Sequence, residues 1–348
     1  MKKLLKSLMR TLLAASLIIW ATTLPAQAAT HDTIDAAATD TAAYLVKAVP
    51  TPVLGAVGGE WLIMGLARSS ATLPNGYLEG YLRRTETQVK QLKGVLHERK
   101  YSEYARLALA LTALGRDPTA FGGYNLLLPL ADYDKTVWQG INGAIFALLA
   151  LDSGNYVIPI NKQAATRATR EKYVQYILSR ELPGGGFNLT GTVADPDVTA
   201  MALQALAKYQ EQTAVAAAIN RALRRLSALQ GKDGGFTSWS AGNCESVAQV
   251  IVALTELGVS PEDSRFVKNG KTLADNLLSF YTKGKGFAHG KESGANIMAS
   301  EQAFYALVSL QRFADEQDSL YHMAEDKSAD STPAEAPRTL PAKKAGAI

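Results

Sequence analysis

The chain has 348 residues, 47% of them hydrophobic, and a formal net charge of +4. Its one Cys, Cys244, excludes an internal disulfide, so stability must come from a core that a chain of this length can bury. Lys2, Lys3, Lys6 and Arg10 supply the whole excess of charge; beyond residue 28, basic and acidic residues balance at 32 each, which leaves no basic footprint for nucleic acid and no polybasic membrane patch.

Those four cations open a secretory leader. The apolar run Leu12 to Leu24 follows, too short to span a bilayer comfortably, and Ala26-Gln27-Ala28 fits a small-x-small cleavage site. The expected cut is after Ala28, giving a secreted protein with Cys244 as a free thiol; an uncleaved N-terminal anchor is the alternative. No later segment is long and apolar enough to cross a membrane.

From residue 29 to 323 the pattern is helical throughout, with apolar residues at i, i+3, i+4 and i+7. Short, apolar helices are expected over about 58–68, 100–114, 136–151, 197–209, 245–257 and 299–313. Amphipathic partners are expected over about 33–48, 75–96, 122–132, 166–180, 213–230 and 269–281. Three segments align most clearly: Gly186-Phe187, Gly235-Phe236 and Gly286-Phe287 each precede a short apolar helix, and the Phe residues lie 49 and 51 apart. A period near 50 residues with two helices per unit is a repeat architecture. Apolar helices belong inside and amphipathic ones outside. Six of each close into an all-α fold, an α/α toroid, with an open solenoid as the alternative. The glycines fall in turns that need positive φ. From residue 324 to 348 the chain is rich in Ala, Pro, Ser, Lys and Glu and reads as a disordered tail. Leu340-Pro341 resembles the start of a sortase signal, but Ala342-Lys343-Lys344 does not continue it.

The stretch Leu229-Gln230-Gly231-Lys232-Asp233-Gly234-Gly235-Phe236 resembles the Gln-Trp repeat of squalene-hopene cyclases, with Phe236 where Trp is usual. With Asp195-Pro196-Asp197-Val198-Thr199-Ala200 it is similar to the squalene cyclase and protein prenyltransferase superfamily. Gly58-Gly59-Glu60-Trp61, Gly122-Gly123-Tyr124-Asn125, Gln139-Gly140-Ile141-Asn142-Gly143 and Glu245-Ser246-Val247-Ala248-Gln249 look like marks of exported bacterial toroid proteins. The resemblance spans about residues 33–313 and implies the fold. It implies little about activity. The animal corrinoid carriers share the toroid; the small β-domain that their bacterial look-alikes often add has no counterpart here.

The resemblance places Asp197 at the proton-donating Asp of the cyclase motif, while Val198 replaces the motif's last Asp, which puts tuning of the acid in doubt. A cyclase would also need an aromatic cavity, and only 8% of residues are aromatic. The bland account is that Asp197 caps its helix and Asp195 supports the loop. In prenyltransferases zinc is held by Asp, Cys and His. Cys244 matches the Cys, but Gly242 replaces the Asp and Ser300-Glu301-Gln302 stands where the His should be, so no metal and no cofactor is expected. Parallel inner helices would bring their polar starts to one mouth. Glu60, Trp61, Trp138, Gln139, Asp197, Trp239, Glu245, Glu301 and Gln302 are the candidate ligand-binding residues there, beside Glu103, Tyr104 and Asn142. Capping and loop packing explain many such residues equally well.

These features point first to a secreted binding or interaction protein, rather than an enzyme, whose partner is a polar small molecule, a corrinoid-like compound, a glycan or a surface protein. A terpene cyclase or prenyltransferase is the second expectation, with Asp197 and Asp195 as catalytic candidates. A carbohydrate-active α/α-barrel enzyme is the third, and it would need two carboxylates facing an open cleft.

Overall fold

The computed structural model describes residues 29–238 and 241–324. The leader read at 1–28, all but the first residue of the tail, and Trp239 lie outside the described residues.

In chain order the α-helices are α1 (His31–Ala48), α2 (Glu60–Ala67), α3 (Tyr77–Gln91), α4 (Ser102–Ala113), α5 (Tyr133–Thr136) and α6 (Ile141–Ser153). They continue as α7 (Arg170–Leu178), α8 (Pro196–Leu206), α9 (Thr213–Leu229), α10 (Cys244–Glu256), α11 (Leu273–Leu278) and α12 (Ile297–Ala314). Two antiparallel hairpins are the strand content among the described residues: β1 (Thr237–Ser238) with β2 (Ala241–Gly242), and β3 (Tyr281–Thr282) with β4 (Gly286–Phe287).

The even-numbered helices pack in succession, α2 on α4, α4 on α6, and so on to α12, which returns to α2. The ring is closed, so the structure is an all-α toroid rather than a solenoid. Composition sorts the helices. In α10 every residue from Cys244 to Thr255 is buried, as suits a helix with neighbours on all sides. In α9 the stripe Val215, Ala218, Ile219, Ala222, Leu223 and Leu226 is buried, while Arg221 and Arg224 lie on the other face. Each Leu, Ile or Val in such a stripe contributes about 2 kcal/mol of transfer free energy before chain entropy is counted. Outer α1 covers α12, α7 covers α6, α9 covers α8, and α11 covers α10.

The third outer helix, expected over 122–132, does not form. Gly122 and Gly123 both take positive φ, which a helix forbids. A 3-10 turn (Pro129–Ala131), the single turn α5 and a second 3-10 turn (Val137–Gln139) fill that place. The inner helix expected from 136 starts instead at Ile141, because Gly140 (φ +65°) reverses the chain just before it.

The repeat extends to hydrogen bonding. Phe187, Phe236 and Phe287 are all buried, and their carbonyls accept the backbone N–H of Asp195, Asn243 and Asn296. Each of these three residues then caps the helix it precedes, its side chain accepting from the N–H of Val198, Ser246 or Ala299. Capping thus belongs to Asp195 and not to Asp197.

At the opposite end of the ring the chain beyond α12 crosses the bore. Glu256 accepts from Ser319 Oγ and the Tyr321 N–H, and Arg68 takes the carbonyls of Asp318, Ser319 and His322. These contacts set the buried Tyr321 ring into the bore as a floor. Among the described residues no helix is long and apolar enough to cross a membrane.

Candidate functional site

Above that floor lies a cavity of about 410 Å³. First-turn residues of several inner helices line its upper part: Trp61 of α2, Asp197 of α8, Glu245 of α10 and Met298 of α12. Their convergence follows from the alternation of inner and outer helices, which returns every inner helix in the same direction. The mouth is open to solvent, since the His289 side chain is 57% exposed and Met298 47%.

Deeper down, three glutamines form a directed chain. Gln204 Nε2 donates to the Gln249 carbonyl and to Gln249 Oε1, both at 3.0 Å. Gln249 Nε2 donates in turn to Gln302 Oε1 at 3.0 Å and to the Tyr305 hydroxyl. The backbone carbonyl can only accept, so it fixes the orientation of each amide in the chain. One wall is aromatic: Trp61 packs against Phe146 and Tyr305 with ring centroids 5.8 and 6.2 Å apart.

The opposite wall is acidic. Asp195 Oδ1 caps α8, and its Oδ2 accepts from Ser238 Oγ at 2.8 Å. Glu245 Oε2 lies 2.8 Å from His289 Nδ1. Asp197, between these groups, is different. Its Oδ1 is buried without a hydrogen-bond partner. Ser246 lies alongside, close enough to draw the pKa down but without hydrogen-bond geometry. Burial first, and then the nearby charges of Asp195 and Glu245, push the Asp197 carboxyl up to about 6.

Four of the candidate residues therefore meet in the cavity: Trp61, Asp197, Glu245 and Gln302. Others are used elsewhere. Glu60 is buried, accepting from the Gly55 N–H and pairing with Arg106 at 3.0 Å; burial raises its pKa. Glu301 accepts from the Gly58 N–H, and burial takes its carboxyl up to about 7. These two acids clamp the 55–59 loop instead of facing the bore. Gln139 binds the Ser102 N–H and hydroxyl. Trp138 is exposed, with the Arg99 guanidinium 4.0 Å from its ring centroid.

Cys244 is fully buried, with Sγ toward the Ala299 carbonyl, and burial pushes its thiol well above the ordinary value. Among the described residues no three His, Cys, Asp or Glu side chains are grouped to hold a metal ion. Phe146, Met201, Gln204, Gln249, His289 and Tyr305 also line the cavity but are not among the candidate ligand-binding residues read from the sequence, although Gln249 ends the Glu245-Ser246-Val247-Ala248-Gln249 motif. Gln249 sits one turn below Glu245 on the same face, and that i, i+4 spacing was the available signal. His289 carried none, because it arrives on the loop after β4.

No family model matches the chain. Among curated proteins, drimenyl diphosphate synthase of Streptantibioticus cattleyicolor is 30% identical over 112 residues, 31% of this chain. The chain spans only 19% of that protein's length. Among solved structures, unsaturated glucuronyl hydrolase from Bacillus sp. GL1, responsible for the degradation of glycosaminoglycan, superposes with a TM-score of 0.54 at 12% identity. The superposition covers 85% of this chain and all of that one. An Asp-to-Asn variant of UGL with dGlcA-Glc-Rha-Glc matches with the same figures. The expectation of a binder rather than an enzyme is corrected by these matches, since the proteins of like sequence and like fold are enzymes. At 12% identity the structural likeness shows the fold: this chain is an all-α toroid of the kind those hydrolases build.

Proposed function

We propose that the protein is a carbohydrate-active enzyme of the α/α-barrel type, working at the open mouth with Asp197 as its proton donor. The observation that carries this is the state of Asp197: a carboxyl held up to about 6, with one oxygen unpartnered, in a solvent-open cavity beside a second carboxylate. A general acid works best with a pKa near the working pH. The fold neighbours' action on glycans supports the substrate class. The Trp61 wall suits the apolar face of a sugar ring, and the amide chain suits its hydroxyls. In hydrolysis, Asp197 gives its proton to the bridging oxygen as the bond to the anomeric carbon breaks. A water attacks that carbon and passes its proton to Glu245, which His289 orients. Solvent then reprotonates Asp197 and takes the proton from Glu245.

The test is turnover of a glycan panel, read as new reducing ends by mass spectrometry. Asp197→Asn should lower kcat about a hundredfold to ten-thousandfold. The wild-type rate should fall as pH rises through about 6, because the donor must be protonated. Undiminished turnover by the variant, or no glycan turned over at all, overturns the proposal. Terpene cyclisation is the second candidate chemistry, favoured by the match to drimenyl diphosphate synthase. The three amides count against it, because their oxygens would trap a carbocation. Conversion of a polyprenyl diphosphate and of no glycan would establish it instead.

A further inference from the structure

The charge inventory of the cavity narrows the substrate. No Lys or Arg lines it among the described residues; its one basic group is His289, already held by Glu245 at 2.8 Å. Arg106 of α4 pairs with Glu60 and Glu103, and none of the three lines the cavity. Against a single imidazole stand Asp197 and Glu245, with Asp195 behind Ser238. Among the described residues the lining carries more acidic groups than basic ones.

Its uncharged polar groups have a direction. Gln302 Oε1 accepts from Gln249 and from the Tyr305 hydroxyl, at 3.0 and 3.3 Å, so its oxygen is used and its amide nitrogen remains to donate. One neutral donor can hold a hydroxyl or carbonyl oxygen. Alone it does not neutralise a carboxylate, which proteins ordinarily meet with Arg or Lys.

We infer that the sugar bound at this mouth carries hydroxyl or amino groups and no carboxylate, so that the protein does not share the uronate preference in the names of its fold neighbours. This rests on the carbohydrate-active proposal. A uronate would set a further negative charge within a few ångströms of Asp197 and Glu245, in a partly buried site where such charges are weakly screened. An amino sugar would instead place a cation there.

The experiment uses three disaccharides that differ at one end only: glucose-terminated, 2-amino-glucose-terminated and glucuronate-terminated. Binding to the intact protein is measured by calorimetry and saturation-transfer NMR at pH 7.5. The expected result is that the glucuronate form binds at least about tenfold more weakly than the other two. Glu245→Gln, checked for folding by its melting curve, should shrink that ratio, because it removes one carboxylate and frees His289. Equal or tighter binding of the glucuronate form, or a ratio unchanged in Glu245→Gln, overturns the inference and leaves the carbohydrate proposal standing. Binding of none of the three, with no turnover of the wider glycan panel, overturns both.

Discussion

Replacing Asp197 by Asn separates function from stability. The carboxyl is held up to about 6 against an ordinary 3.8, chiefly by burial. That difference corresponds to about 3 kcal/mol between its two protonation states. A raised pKa means that the folded chain binds the proton more tightly than the unfolded chain. The stabilisation is fully present below about 3.8 and is lost as pH rises through about 6. At pH 8 the wild type therefore carries the whole cost of a buried carboxylate. Solvent at the open mouth screens part of this, which leaves about 2 kcal/mol. Asn keeps the shape and removes the charge, so Asp197→Asn should gain about 2 kcal/mol at pH 8 and almost nothing at pH 4. A domain of this size shifts by about 1.5–2 °C per kcal/mol, so Tm should rise by about 3–4 °C at pH 8 only. Differential scanning calorimetry at the two pH values, beside the glycan assay, reads both effects. A variant that melts lower at pH 8 would refute the reasoning, because Asp197 would then be a stabilising first-turn acid.

Arg106→Met should cost about 3–5 kcal/mol at pH 8, because Glu60 is 1% exposed and would be left buried and unpaired. The loss should lessen at low pH and be recovered largely by adding Glu60→Gln, both read by calorimetry. Gly143→Ala should destabilise by about 3 kcal/mol or more, since a Cβ there runs into the Thr136 carbonyl oxygen; urea unfolding measures it. If the leader is cut after Ala28, the new α-ammonium of Ala29 lands on Asp275 Oδ1, where its nitrogen already lies at 2.6 Å. N-terminal sequencing should then read Ala29, and one extra residue at that end should lower Tm by about 1–2 °C.

The closed toroid was legible in the sequence because it follows from local patterns. A period near 50 residues, Gly-Phe turns and alternating apolar and amphipathic helices each leave a mark within a few turns of chain. The third outer position was misread: residues 122–132 hold Gly122, Gly123, Asn125 and Pro129, a composition poor for a helix, and both glycines take positive φ.

The site was legible only in part. The sequence by itself determined that Asp197 and Glu245 occupy corresponding first turns, since a repeat dictates equivalent positions. Tertiary structure alone decided which polar residues face the bore. The rotation of each inner helix about its axis is set by packing against two neighbours, and it turns Glu60 and Glu301 onto a loop while turning Gln204, Gln249 and Tyr305 inward. It also decided that His289, 44 residues from Glu245, completes the acidic wall: the loop that carries it is held by the Cys244 N–H bonding to the His289 carbonyl, a contact that no local pattern encodes.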